Sequence, residues 1–323
     1  MLRKVPKALL IALFLVLAVA GLCLFDYFTY DRSHPLQPIA ANRGDNGLWL
    51  RYYWVWGKHS DAEQQAMIER LRQHQIKYAY FHVLDTKSDG TLSERKEEGS
   101  KKITALVHSQ APQTKAIAWV YVASFGKNRN DLSNPDVRKN LIEQARWLTS
   151  VCGFDGIQWD YEFCFNGDAG FLKLMEETRQ ALPDTFLSTA TPMWYPATLW
   201  GWDDAYYAQV AARADQIAVM CYDSWFYLPR AYLWLVGQQA VHVTGAARNT
   251  NCKVILGLPT YDDATPAHHR RTEDLLHGLI GVYQGIENPN TIKDRFEGIA
   301  LFADYTTDEK EWQLYDRNWR DVR

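Results

Sequence analysis

Short apolar runs alternate with amphipathic segments along the chain from Leu48 onward. Apolar or period-two runs predict strands at 48–54, 77–85, 115–122, 156–162, 186–194, 216–223, 253–261 and 298–305. Helical patterns fall between them at 61–75, 101–111, 136–151, 168–182, 203–213, 231–248, 269–285 and 308–318. Ser60 stands as an N-cap before the first of these, and Asn134-Pro135 opens the third with a cap and a first-turn proline. Runs such as IAVMCY and VILGLP are apolar on both faces, as parallel strands covered by helices require. Eight β-then-α units in about 275 residues describe an α/β fold, a single (β/α)8 TIM barrel. A doubly wound open sheet is the alternative, but no glycine-rich phosphate loop follows the first strand.

The N-terminus follows a different rule. Arg3, Lys4 and Lys7 precede an uncharged run of 18 residues, 8–25. At 1.5 Å per residue that run spans about 27 Å, close to the bilayer hydrocarbon. Its end, GLCLFDYF, offers no small-residue cleavage site, so an uncleaved membrane anchor is expected, with a cleaved signal segment as the alternative. Either way the positive flank stays inside and the remainder is exported, tethered by the anchor or secreted without it. Residues 26–47, with Pro35, Pro38, Gly44 and Gly47, read as a linker, which leaves 48–323 as one barrel domain.

Charge narrows the partners. Lys and Arg number 35 against 38 acids, and three of those bases lie in the first seven residues. An exported part that is net acidic excludes nucleic acid as the main partner. Cys152, Cys164, Cys221 and Cys252 have spacings that match neither a disulfide scaffold nor zinc, and H-E-x-x-H is absent, so no metal and no cofactor are implied. Thirteen Trp and 18 Tyr supply flat faces suited to stacking on sugars and equally to filling a core.

The fourth strand carries the candidate chemistry. It reads Asp155-Gly-Ile-Gln-Trp-Asp-Tyr-Glu162, so Gln158, Asp160 and Glu162 share one face while Ile157, Trp159 and Tyr161 share the other. The apolar face has to meet helices, so the polar one points into the barrel with Glu162 at its mouth. Inward polar groups on a central strand are costly unless hydrogen-bonded to each other.

This stretch resembles the DxxDxDxE signature of glycoside hydrolase family 18, the chitinases and endo-β-N-acetylglucosaminidases, matched at Asp155, Asp160 and Glu162. Met220-Cys-Tyr-Asp223 resembles the family's M-x-Y-[DN] segment, and residues 253–261 resemble its seventh strand. The resemblance implies hydrolysis of glycans that contain 2-acetamido sugars. Glu162 would be the acid and then the base, Asp160 would orient the acetamido N–H and stabilise an oxazolinium ion, and Tyr222 would hold the acetamido oxygen. Substrate contacts are expected from Asp155, Gln158, Met220, Asp223, Tyr53, Trp194, Trp225 and Phe302.

Three departures accompany the resemblance. Gln158 stands where the family usually has an aspartate; an amide there can still hydrogen-bond Asp160, so altered pH behaviour rather than an inert site is expected. Ser124-Phe-Gly-Lys127 keeps only part of an S-x-G-G motif. Phe302 lies where a tryptophan commonly floors the sugar site, with Trp312 as the other source of a platform. Trp54, Trp56, Trp200 and Trp202 also fall at or just after strand ends. Two rival readings stay open: a non-hydrolytic, glycan-binding lectin of the same family, and a two-carboxylate glycosidase that would recruit Asp223 or Asp304.

Overall fold

The computed structural model describes residues 7–30, 36, 38–161, 164–196, 201–263 and 265–322. Eight parallel strands close into a barrel in chain order: β1 (Asn46–Leu50), β2 (Ile76–Asp85), β3 (Lys115–Tyr121), β4 (Gly156–Asp160), β5 (Phe186–Thr191), β6 (Gln216–Met220), β7 (Lys253–Pro259) and β8 (Phe296–Phe302). Gly47↔Ala300 and Leu48↔Leu301 join β1 to β8 and close the ring. Helices α2 (Asp61–Gln73), α3 (Glu97–Gln110), α4 (Pro135–Ser150), α5 (Ala169–Ala181), α6 (Asp204–Ala211), α7 (Pro229–Ala246), α8 (Leu275–Glu287) and α9 (Glu309–Tyr315) cover it outside. The expected (β/α)8 barrel is present. β2 ends where expected and β3 one residue short, whereas the other six strands stop two to four residues before the expected ends.

Side-chain parity sorts the core into two. Outward positions such as Leu48, Leu50, Phe81, Val120, Ile157, Trp159 and Leu256 pack under the helices. A smaller inner cluster holds Trp49, Tyr78, Tyr80, Ile117, Ala218, Ile255 and Ala300. Helices α7 and α8 approach closely because Gly281 and Gly285 face Val236 and Ala240: a Cβ on either glycine would lie 2.7 Å from those Cβ atoms. Trp319, in the π-helical turn Asp316–Arg320, closes the lower end, its Nε1 donating to Asn46 Oδ1 at 2.8 Å.

Helix α1 (Lys7–Thr29) has a mean hydropathy of 3.0 and no buried residue, so it is long and apolar enough to cross a membrane. A signal sequence meets the same description. Its last turn meets the barrel: Asp26 pairs with Arg230 at the start of α7, and Tyr27 accepts from Arg271 at 3.3 Å. Cys152, Cys164, Cys221 and Cys252 are buried and unpaired.

The α9 N-terminus generates a pH dependence. Asp308 accepts from Glu311 N–H at 2.9 Å, and Glu311 accepts in return from Asp308 N–H at 3.0 Å. Burial, reinforced by repulsion from Asp308, Asp262 and Asp274, pushes the Glu311 carboxyl up to about 7, against an ordinary value of 4.5. The folded state therefore holds this proton more tightly than the unfolded chain. That contribution is complete below 4.5 and is lost as pH rises through about 7. The denaturation midpoint is expected to fall between pH 5 and 7, and Glu311→Gln to flatten that slope, as urea titrations across this range would read.

Candidate active site

The barrel interior is threaded by hydrogen bonds between inward side chains of different strands. Near the N-terminal end of β8, Glu297 accepts from Tyr78 at 2.6 Å and from Gln216 Nε2 at 2.7 Å. Gln216 Oε1 accepts in turn from Tyr80 at 2.6 Å and Ser188 at 3.0 Å. Ser188 Oγ accepts from Gln158 Nε2 at 3.1 Å, and Gln158 Oε1 from Trp49 Nε1 at 2.8 Å. Burial raises the Glu297 carboxyl above its ordinary value, opposed by the donors of Gln216 and Tyr78.

Gln158 is fully buried within this ladder. Its amide turns to Trp49 on β1 and Ser188 on β5. The reason is that Trp49 and Ser188 offer the donor and acceptor that a buried amide needs.

Asp160 stands two residues further along β4, 1 % exposed. Trp119 on β3 donates its Nε1 to Asp160 Oδ2 at 2.7 Å. The Trp119 ring lies 4.4 Å from His82 and 6.1 Å from Phe302. Phe302 in turn stacks on Tyr222 at 4.9 Å and 25°, and meets Trp49 and Tyr261 edge-on at 5.9 and 6.0 Å. The Phe302–Ala303 peptide is cis. Asp160, Trp119, Phe302 and Tyr222 thus form a continuous wall at the C-terminal end of the barrel. Met220, half-buried, lies two residues before Tyr222.

Beside this wall a cleft of about 210 Å³ is lined by Asp85, Thr86, Tyr121, Ala123, Phe125, Lys127 and Asn128. Glu162 lies outside the described residues, as does Trp200.

Other expected residues go elsewhere. Asp155 precedes β4 at the opposite end of the barrel, where it accepts from Ala116 N–H at 2.7 Å and contacts His108 at 3.0 Å. It ties β3 to β4 and is remote from the mouth. Trp194 stacks flat on His242 of α7 at 3.6 Å, which occupies a face expected to meet sugar. Trp312 likewise stacks on His74 at 4.1 Å and is buried. Trp202 is core, donating to Cys164 O, and Trp54 donates to Asp304 Oδ2 at 2.6 Å. Asp304 is thereby committed to Trp54 and to Arg51 N–H.

Trp225, 59 % exposed, and Tyr53, also exposed, remain open to solvent near the mouth. Asp223 has φ 53° and accepts from Tyr261 at 2.8 Å. Trp119 and Tyr261 were missed. The parity of β3, with Ile117 inward, carried the signal for Trp119.

A family model for glycosyl hydrolases family 18 matches residues 49–322. The chain belongs to glycosyl hydrolases family 18. Membership assigns this family 18 barrel to the glycoside hydrolases in general. No curated protein sequence matches it.

Among solved structures, it resembles the spore cortex-lytic enzyme SleL of Bacillus cereus, with TM-score 0.59 and 12 % identity over 85 % of this chain and 74 % of that one. The Group IV chitinase of Ostrinia furnacalis has TM-score 0.57 and 13 % identity over 81 % and 93 %. A class V chitinase of Pseudomonas fluorescens Pf-5 has TM-score 0.57 and 15 % identity over 84 % and 99 %. At these identities the likeness is one of fold.

The buried ladder sets its own test. Ser188→Ala removes one hydroxyl at nearly constant volume and leaves Gln158 Nε2 without its acceptor. Leaving a buried polar group unpaired costs about 1–3 kcal/mol. The urea midpoint should drop accordingly with an unchanged m value.

Proposed function

We propose that the protein hydrolyses β-glycosidic bonds in N-acetylglucosamine-containing glycans, with retention, using the substrate's own acetamido group as nucleophile. One observation carries this reading: a nearly fully buried carboxylate, Asp160, held by the Trp119 indole on the wall that Phe302 and Tyr222 complete. Asp160 supplies fixed negative charge where an oxazolinium ion develops, and it accepts the acetamido N–H. Tyr222 donates its hydroxyl to the acetamido oxygen, and its ring leans on Phe302, which floors the sugar. Glu162, two residues past Asp160, protonates the leaving oxygen and then activates water. Preorganised charge in a site walled by aromatic rings acts with little reorganisation at the moment of reaction.

The structural neighbours, named as chitinases and a spore cortex-lytic enzyme, support glycans of this class. Asp304 is bound by Trp54 and Arg51 N–H, which weighs against a second protein carboxylate as nucleophile. The apolar α1 supports an exported domain, anchored or secreted.

Two measurements test the reading. Glu162→Gln should lower turnover about 10²–10⁴-fold while glycan binding persists, and the wild type should cut N-acetylated oligomers but not their de-acetylated forms. Equal turnover in the variant, or equal cleavage of both substrates, would sink it.

The neutral amide at Gln158 leaves Asp160 without a like-charged neighbour directly beneath it. Gln158→Asp is therefore expected to raise the carboxylate pair's upper apparent pKa and move the acidic limb of kcat/KM to higher pH, by about one unit or more. An unmoved limb would show that position 158 does not couple to Asp160.

A further inference from the structure

We propose that Asp223, His268 and Glu273 bind a divalent cation of the zinc type at the rim of the barrel. The three come from two loops. Asp223 follows β6 and Tyr222, whereas His268 and Glu273 lie between β7 and α8, and one ligand atom from each falls within 4.8 Å of the others.

His268 supplies the second observation. Its side chain is fully buried, and neither ring nitrogen has a hydrogen-bond partner. A buried imidazole left in that state is costly unless something else meets it. Its Nδ1 faces Glu273 Oε2 at 3.4 Å and Asp223 Oδ1 at 3.7 Å. Those separations are long for hydrogen bonds. They suit two ligands of one ion, since donors about 2.1 Å from a tetrahedral zinc stand about 3.4 Å apart.

The surroundings fit as well. Glu273 is fully buried, and its Oε1 takes the Ser224 hydroxyl at 2.7 Å, which orients Oε2 toward His268. Tyr261 donates to Asp223 at 2.8 Å. Such supporting bonds hold metal ligands in place. One imidazole with two carboxylates is a borderline donor set that favours zinc over the all-oxygen cations. Two carboxylates and a neutral imidazole also balance a charge of two. Asp223 is 52 % exposed and gives the ion a path from solvent. The residues are 45 and five positions apart, a spacing no linear pattern flags, so the sequence reading implied no metal.

A cation here would pin the loop that follows Tyr222 to the loop before α8, and it would engage Asp223, which the sequence reading assigned to sugar. The site does not depend on the glycosidase reading. The test uses the full chain in detergent, stripped with EDTA and dialysed, with zinc as the probe. Elemental analysis should find one zinc per chain after loading, and calorimetry one matching binding event. His268→Gln and Glu273→Gln should each weaken binding by at least about 100-fold, the upper end of what losing a supporting partner costs. Because those two side chains are buried, Asp223→Asn serves as the variant that leaves the core intact, and it should weaken binding as well. Wild-type protein that takes up no zinc, or variants that bind it as well, would leave only the contacts of His268 with its two carboxylates and overturn the proposal.

Discussion

One buried carboxylate organises the inside of this barrel. Glu297 cannot be left unpaired in a closed ring of parallel strands, and the donors that satisfy it, Tyr78 and Gln216, draw Tyr80, Ser188, Gln158 and Trp49 into the same ladder. The identity of residue 158 follows from that constraint. It has to donate to Ser188 and accept from Trp49 at once, which an amide does and an ionised carboxylate cannot. The departure from the family pattern at Gln158 is thus a demand of its neighbours inside the fold. It also spares the interior another charge beside Glu297 and Asp160.

How far the sequence reached depended on whether partners were local. Strand and helix order was legible because period-two and helical patterns are local signals. Strand ends ran long because residues such as Tyr222 and Trp194 continue the apolar pattern after the ladder stops. The last long helix was expected from residue 269 but begins at Leu275, since Glu273 is held by Ser224 and Asp274 is the cap.

Of the candidate site, the placing of Asp160, Tyr222 and Phe302 at the barrel mouth was readable from motif and parity. Asp155 was not, because the motif runs the length of a strand: five residues at about 3.3 Å each place its first acid at the other end of the barrel. Trp194 and Trp312 show the limit of composition, which cannot tell a ring stacked on sugar from one stacked on histidine. The ladder itself joins residues up to 219 positions apart, beyond any local pattern.

The low identity to the structural neighbours is compatible with this architecture. Outward strand positions need only be apolar and of suitable volume, so many sequences fill them. The mouth is built from side chains on several strands and the loops that follow, which vary while the barrel stays constant. Here that freedom has produced a wall of aromatic rings centred on Phe302.

The four barrel cysteines carry a consequence of a different kind. Each is buried without a disulfide, and burial pushes the Cys152 thiol up to about 11 and the others further, so all stay protonated near neutrality. Protonated, enclosed sulfur is slow to oxidise or to exchange. The folded barrel is therefore held without a disulfide, and its enclosed thiols are shielded from oxidants around it.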